Sequence, residues 1–225
     1  MAAASAAFVF DLDGTLVDSV YQHVLAWHEA LATEGIELSV WRIHRKIGMS
    51  GGLLTNMLLR ETGIDLDAER VERLPRLHAE AYKRRGKDVR PLPGAKALLS
   101  TLTECDIPWA IATSGRMETA APALESLGID INKIAVVTRD EVRYAKPDPD
   151  LFLAAAKRLG RRAESIFVVG DSIWDMLAAQ RARSLGIGVL SGGYGLEELE
   201  RAGAYRVYAD PADLLNHIDD VGGRH

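Results

Sequence analysis

Two aspartates two positions apart, Asp11 and Asp13, follow the short apolar run Phe8-Val9-Phe10 and lead directly into Gly14-Thr15. Carboxylates at this spacing at a strand end can face one pocket while a backbone carbonyl points at a metal ion. Gly14 lets the chain reverse there without a Cβ penalty. Alone, the pentapeptide suits an acidic turn or part of a calcium loop equally well. The buried-type run before it favours a pocket, because a solvated turn needs none.

A second acidic pair follows Ile166-Phe167-Val168-Val169, in Gly170-Asp171-Ser172-Ile173-Trp174-Asp175. Asp175 lies one helical turn beyond Asp171, so both can face one cavity, while Ser172 reads as a helix N-cap. Joined by Asp11, they form a hard-oxygen set suited to Mg²⁺, which prefers a few carboxylates plus water and phosphate oxygen. Thr113-Ser114-Gly115 follows Trp109-Ala110-Ile111-Ala112. A hydroxyl beside free helix-start amides serves as a phosphate cradle or as a plain cap. Lys146-Pro147-Asp148-Pro149 presents an ammonium on a turn stiffened by prolines, as a fixed point charge or an ordinary surface turn. Arg116, three residues after Thr113, is a candidate secondary phosphate contact.

These groups must be held by the elements before them. Apolar runs at Phe8–Phe10, Trp109–Ala112, Ile134–Val137, Ile166–Val169 and Gly188–Leu190 are short and uniformly apolar, as strands covered on both faces are. Helical patterns follow at Gly94–Glu104, Glu118–Leu127, Asp150–Leu159 and Trp174–Arg183. The alternation predicts an α/β domain with a doubly wound parallel sheet, whose ligands bind at the carboxyl ends of the strands. One long gap interrupts it. Between the first strand and Trp109 the chain reads as helix over Val20–Thr33, Leu53–Arg60 and Ala68–Arg85, closed by Pro91-Leu92-Pro93-Gly94. The expected organisation is a core of residues 1–16 and 91–225 with a helical insert at 17–90.

The four groups, in this order and each at its own strand end, resemble the motifs of the haloacid dehalogenase superfamily: Asp-x-Asp-Gly-Thr, a Thr or Ser, a Lys, and Gly-Asp-Ser with a following Asp. The resemblance runs from Phe8 to about Leu215 and implies a Rossmann-like core with an inserted helical cap. It implies that Asp11 is a nucleophile that becomes an aspartyl phosphate, and that Asp13 first protonates the leaving oxygen and then deprotonates water. A closed, dry cap is expected to raise the Asp13 pKa for that purpose. By the same resemblance, Mg²⁺ is held by Asp11, the Asp13 backbone carbonyl and Asp171, with Asp175 as a ligand or orienting group. Thr113, with Ser114 and Gly115, and Lys146 hold the phosphoryl group. Relatives that displace halide from carbon lack an acid at the position of Asp13, so a dehalogenase is not expected.

The insert adds candidates for substrate recognition. His23, in Asp18-Ser19 … His23 … Trp27, resembles a residue of the first cap helix in sugar-phosphate phosphatases and β-phosphoglucomutase; it either couples the cap to acid–base work or packs at the cap–core boundary. Arg45 and Lys46, before the glycine-bearing stretch Gly48–Gly52, are either anion contacts or solvated cations. The implied substrate is a small phosphorylated metabolite such as a sugar phosphate or phosphoglycolate. The implied activity is a Mg²⁺-dependent phosphatase, with a phosphosugar mutase or a non-catalytic binding module as alternatives. The mutase pattern places an arginine soon after the loop glycine, which this chain lacks.

Composition bounds the rest. The 225 residues are 48% hydrophobic, enough for a full core, and the net charge of −5 argues against nucleic-acid or anionic-membrane partners. No apolar run approaches the ~20 residues needed to span a bilayer. The opening Met1–Ala7 is a poor secretory signal, and the single cysteine, Cys105, fits a reducing cytoplasm. Nothing in the sequence indicates an oligomeric state.

Overall fold

The computed structural model describes residues 6–222. Met1–Ser5, the larger part of the segment read above as a poor secretory signal, lie outside the described residues.

The first strand, β1 (Ala7–Phe10), shows how the sheet is built. Its side chains alternate between faces: Phe8 and Phe10 join one buried cluster with Leu98, Leu102 and Ile111, while Ala7 and Val9 join another with Phe152, Ala155 and Val168. A strand apolar on both faces must be covered on both faces. The chain leaves it through β2 (Val17–Asp18) and four helices, α1 (Val20–Thr33), α2 (Val40–His44), α3 (Gly51–Thr62) and α4 (Ala68–Arg85). It returns through β3 (Arg90–Pro91), which pairs antiparallel with β2. The helices carry their own apolar cluster, with Val24, Trp27, Leu31, Ile43, Leu54, Leu58 and Leu74 at its centre.

From there strand and helix alternate: α5 (Ala95–Glu104), β4 (Trp109–Ala112), α6 (Met117–Leu127), β5 (Ala135–Val137), α7 (Asp150–Arg158), β6 (Ile166–Gly170), α8 (Ile173–Ala182), β7 (Leu185–Val189), α9 (Leu196–Arg201), β8 (Ala204–Tyr208) and α10 (Pro211–Asn216). The six long strands are all parallel, in the order β5-β4-β1-β6-β7-β8. The winding reverses around β1, so the crevice at the carboxyl ends of β1, β4 and β6 is the natural ligand site.

The doubly wound α/β class expected from the sequence is the observed one. Three differences have physical causes. The fifth expected strand lies earlier, at Leu185–Val189, with Leu190 already in a 3₁₀ turn. β8 is an edge strand with two of its five residues exposed and one buried, and its Ala-Tyr-Arg-Val-Tyr carries too little apolar signal to stand out. Trp41, an apolar side chain of a kind that usually packs, is 62% exposed beneath the Arg42 guanidinium. Among the described residues no helix is long and apolar enough to cross a membrane.

Candidate active site

The ends of three adjacent strands build a buried ionic floor. The Asp11 amide donates to Val169 O at 2.8 Å and the Thr113 amide to Val137 O at 3.0 Å, so both residues extend the sheet ladder by one position and cannot drift. Beyond Asp11 the chain turns at Gly14, whose φ of +84° suits glycine. Lys146, wholly buried, reaches in from the loop before α7 and donates to Asp11 Oδ1. Its ammonium also lies 2.8 Å from Asp175 Oδ1. Asp175 Oδ2 accepts from the Ser172 amide at 3.1 Å and from its hydroxyl at 2.5 Å, and the Asp175 amide donates back to Ser172 Oγ at 3.4 Å. Ser172 is therefore the N-cap of α8 and the device that aims Asp175. Thr15 donates to Asp171 Oδ1 at 3.0 Å.

A glycine outside the sequence motifs, Gly192, closes around Asp171. A Cβ on Gly192 would lie 1.7 Å from Asp171 Oδ2, so only glycine fits there. The next-door Ser191 donates to Gly14 O at 2.6 Å, tying this loop to the first motif.

Asp11, Asp171 and Asp175 bring carboxylate oxygens within 4.8 Å of one another, all buried. Burial pushes the Asp11 carboxyl up to about 7; Lys146 pulls the other way, while Asp175 and Asp13 add to the rise. Burial, then Asp175 and Asp11, push Asp171 well above the usual range. Burial opposes the charge on Lys146, yet Asp11 and Asp175 hold its pKa above the ordinary value, so it stays an ammonium. Three carboxyl groups around one ammonium leave the floor short of positive charge. Asp175 Oδ1, paired with the Lys146 ammonium at 2.8 Å, keeps a lone pair for a further cation. A small divalent cation meets both needs, and oxygen donors of this kind fit Mg²⁺.

Asp13 sits apart from this cluster. Its Oδ1 takes the Ser19 hydroxyl at 2.6 Å and faces His23 Nε2 at 3.2 Å; its Oδ2 has only Thr113 Oγ1, at 3.5 Å. Burial raises its pKa, but the charge and hydrogen bond of His23 and the bond from Ser19 outweigh it, and the pKa falls below the usual value. The sequence-based expectation of a raised value is corrected here. It counted desolvation without the two partners the first helix supplies.

A cavity of about 470 Å³ opens above Asp11 and Asp13. Thr113, Ser114, Gly115 and Arg116 line its core side; His23, Trp27, Ser50, Asn56 and His78 line its helical side. The Gly115 amide donates to Thr113 Oγ1 at 2.9 Å. Arg116 reaches the rim but pairs with Asp140 at 3.0 Å. Arg45 and Lys46, the candidate anion contacts, do not line this cavity. Arg45 pairs with Glu198, and its guanidinium lies 4.1 Å over the Tyr194 ring; Lys46 pairs with Glu61 at 2.5 Å. Their charges are spent elsewhere because acidic partners distant in sequence fold beside them. His78 and Gly192 escaped the sequence reading, and Ser19 entered it only beside His23, without a role. His78 carried one usable signal, its i, i+4 spacing to Tyr82 on a helix.

A sequence profile described as a haloacid dehalogenase-like hydrolase matches residues 6–183. The crystal structure of a hydrolase from Pseudomonas syringae superimposes with a TM-score of 0.95 and 58% identity, over 97% of this chain and 100% of that one. Hexitol phosphatase A of Escherichia coli K12 is 37% identical over 169 residues, 73% of this chain and 74% of that protein. A phosphoglycolate phosphatase of Rhodospirillum rubrum is 32% identical over 214 residues, 92% of this chain and 88% of that protein.

Proposed function

The chain belongs to the haloacid dehalogenase-like hydrolases and is a phosphoric monoester hydrolase, and we propose that it frees phosphate from a small organic phosphate through an aspartyl phosphate on Asp11, with Mg²⁺ bound. The observation that carries this reading is the meeting of Asp11, Asp13 and Thr113 at one cavity, directly above the cation-poor floor of Asp11, Asp171 and Asp175. Membership with phosphatase relatives sets aside the non-catalytic reading.

Phosphoryl transfer spreads negative charge over the reacting oxygens, so its catalysis is mostly positioning and charge compensation. Asp11 attacks phosphorus and the bond to the leaving oxygen breaks. Lys146 offsets charge on Asp11 and the phosphoryl oxygens, and the Thr113 hydroxyl, itself held by the Gly115 amide, joins the Ser114 amide in holding those oxygens. Asp11, Asp171, Asp175 and the Asp13 backbone carbonyl would hold Mg²⁺, which when bound would supply further positive charge at the phosphoryl group. Asp13 gives a proton to the leaving oxygen and later takes one from the attacking water. His23 and Ser19 keep it a carboxylate at rest. An arriving phosphate anion raises its proton affinity, because a like charge disfavours ionisation.

The helical segment of residues 17–90 acts in this reading as a cap that sets the substrate. The relatives' substrates bracket the choice between a sugar or polyol phosphate and a phosphoglycolate-like ester. A mutase needs a grip on a second phosphate, and the helical wall of the cavity presents no lysine or arginine among its lining residues. Hydrolysis is the better supported outcome. The test is phosphate release from an aryl phosphate and from a panel of sugar and short-chain phosphates, with and without Mg²⁺. Asp11→Asn is expected to lose at least about 10⁴-fold in kcat while keeping its fold. Turnover by that variant near the parent rate removes Asp11 from the nucleophile's role.

A further inference from the structure

Two histidines stand in file behind Asp13, and only the first belongs to the motifs already described. His23 Nε2 faces Asp13 Oδ1, and His23 Nδ1 lies 3.1 Å from His78 Nε2. The file is built from two i, i+4 pairs. His23 and Trp27 share a face of α1, and His78 and Tyr82 share a face of α4. The helices run in opposite directions, so each imidazole meets the other helix's aromatic ring. Tyr82 stacks on His23 at 3.9 Å with an interplanar angle of 4°, and Trp27 stacks on His78 at 4.3 Å and 16°. Behind them Gly51 sits against the Trp27 ring edge, where a Cβ would lie 3.0 Å away. Each ring is thus fixed in its plane by an aromatic face and along its edge by a hydrogen bond.

The consequence falls on Asp13. Ser19 and His23 occupy Oδ1, whereas Oδ2 points to the core side of the cavity with only a long contact to Thr113. An imidazole held at one edge alone can rotate about its side-chain bonds; His78 supplies the second hold. We propose that His78 is a positioning residue for the acid–base carboxylate: through His23 it pins Asp13 Oδ1 and leaves Oδ2 as the oxygen that exchanges the proton. The inference rests on the acid–base role of Asp13 given above. In the first step the O–H bond of protonated Asp13 breaks as the proton passes to the leaving oxygen, which takes the electron pair of its bond to phosphorus. In the second, water bonds to phosphorus, its proton passes to Oδ2, and the Asp11 carboxylate departs with the P–O electron pair.

The role predicts a dependence on the leaving group. An alkyl phosphate needs the proton, whereas a nitrophenyl phosphate leaves as a stable anion. For His78→Leu, kcat/KM is expected to fall about 10-fold further on the alkyl ester than on the aryl ester. His78→Gln, whose amide can still bond to His23 Nδ1, is expected to recover most of that ratio. The ratio is taken within each preparation, so a partly unfolded variant does not distort it. Equal losses on both esters for His78→Leu, or no recovery in His78→Gln, overturns the proposal. Asp13→Ala separates the layers. It must show the larger alkyl-selective loss; if it shows none, the acid–base reading falls and this inference with it. An alkyl-selective loss in Asp13→Ala with none in His78→Leu removes His78 alone.

Discussion

The floor and the helical wall of the cavity are made in opposite ways. In the floor, Asp11 and Asp171 directly follow strand ends, Lys146 comes from the loop before α7 and Asp175 from the first turn of α8; all four are buried and ionically crowded. In the wall, His23, Trp27, Ser50, Asn56 and His78 come from helices and the loop between them, and they carry hydroxyl, amide, imidazole and aromatic groups. The floor is placed by the sheet ladder, which tolerates little movement; the wall is placed by side-chain packing between helices. The contrast teaches a division of labour. Charge needed for phosphoryl transfer is stored where the backbone is most rigid, and shape selection is left to faces that can vary without disturbing it.

If the floor is rigid, crowding it by one methyl group has a large effect. Gly192→Ala places a Cβ where Asp171 Oδ2 now lies. Asp171 must move, and a displacement near 1 Å at a catalytic group costs about 10²-fold in kcat. The Mg²⁺ requirement is expected to shift to higher concentration as well. A metal titration of phosphate release checks this, and an unaltered titration curve would show a floor softer than the geometry implies.

The comparison also moves Arg45 out of the wall. Arg45 binds Glu198 and covers Tyr194, whose hydroxyl donates to the Arg45 carbonyl at 2.9 Å. Both charged side chains are about a third or more exposed, so the pair itself contributes little, roughly 1 kcal/mol with the ring contact included. Arg45→Ala is expected to lower Tm by about 2–4 °C and to change kcat/KM by a similar small factor on every phosphate tested. A loss confined to one class of substrate would return Arg45 to the recognition surface.

The same contrast explains what the sequence made legible. Asp11 and Asp171 stand next to their strands in the chain and Asp175 one helical turn on, so an apolar run followed by Asp, Thr or Gly-Asp announces both the element and its cargo. Lys146 was visible through its prolines, and its service to Asp11, 135 positions away, came from the resemblance. The wall depends on which faces of α1 and α4 meet, and His23 and His78 are 55 positions apart. No local pattern states that meeting. The sign of a charge was readable at Arg45, but its partner lies 153 positions on. The Asp13 pKa was misjudged for the same reason, since burial is foreseeable from a cavity and the compensating hydrogen bonds are not.

The smallest effect tests whether the wall is as dry as its stacking suggests. Burial, reinforced by His23 and opposed by Asp13, holds the His78 pKa well below 6.5. The unfolded chain therefore takes a proton on this side chain near pH 6.5, whereas the folded chain takes it only at lower pH. Between those values the unfolded state binds more protons, so stability falls as pH drops below about 6.5. The slope from one such group approaches, at most, about 1.4 kcal/mol per pH unit. His78→Gln has nothing to protonate and loses this contribution. Its denaturant-unfolding free energy, measured from pH 7 down to 5, is expected to decline less steeply than that of the parent. Parallel curves would mean that His78 is protonated equally in both states, and that water reaches the wall as freely as it reaches an unfolded chain.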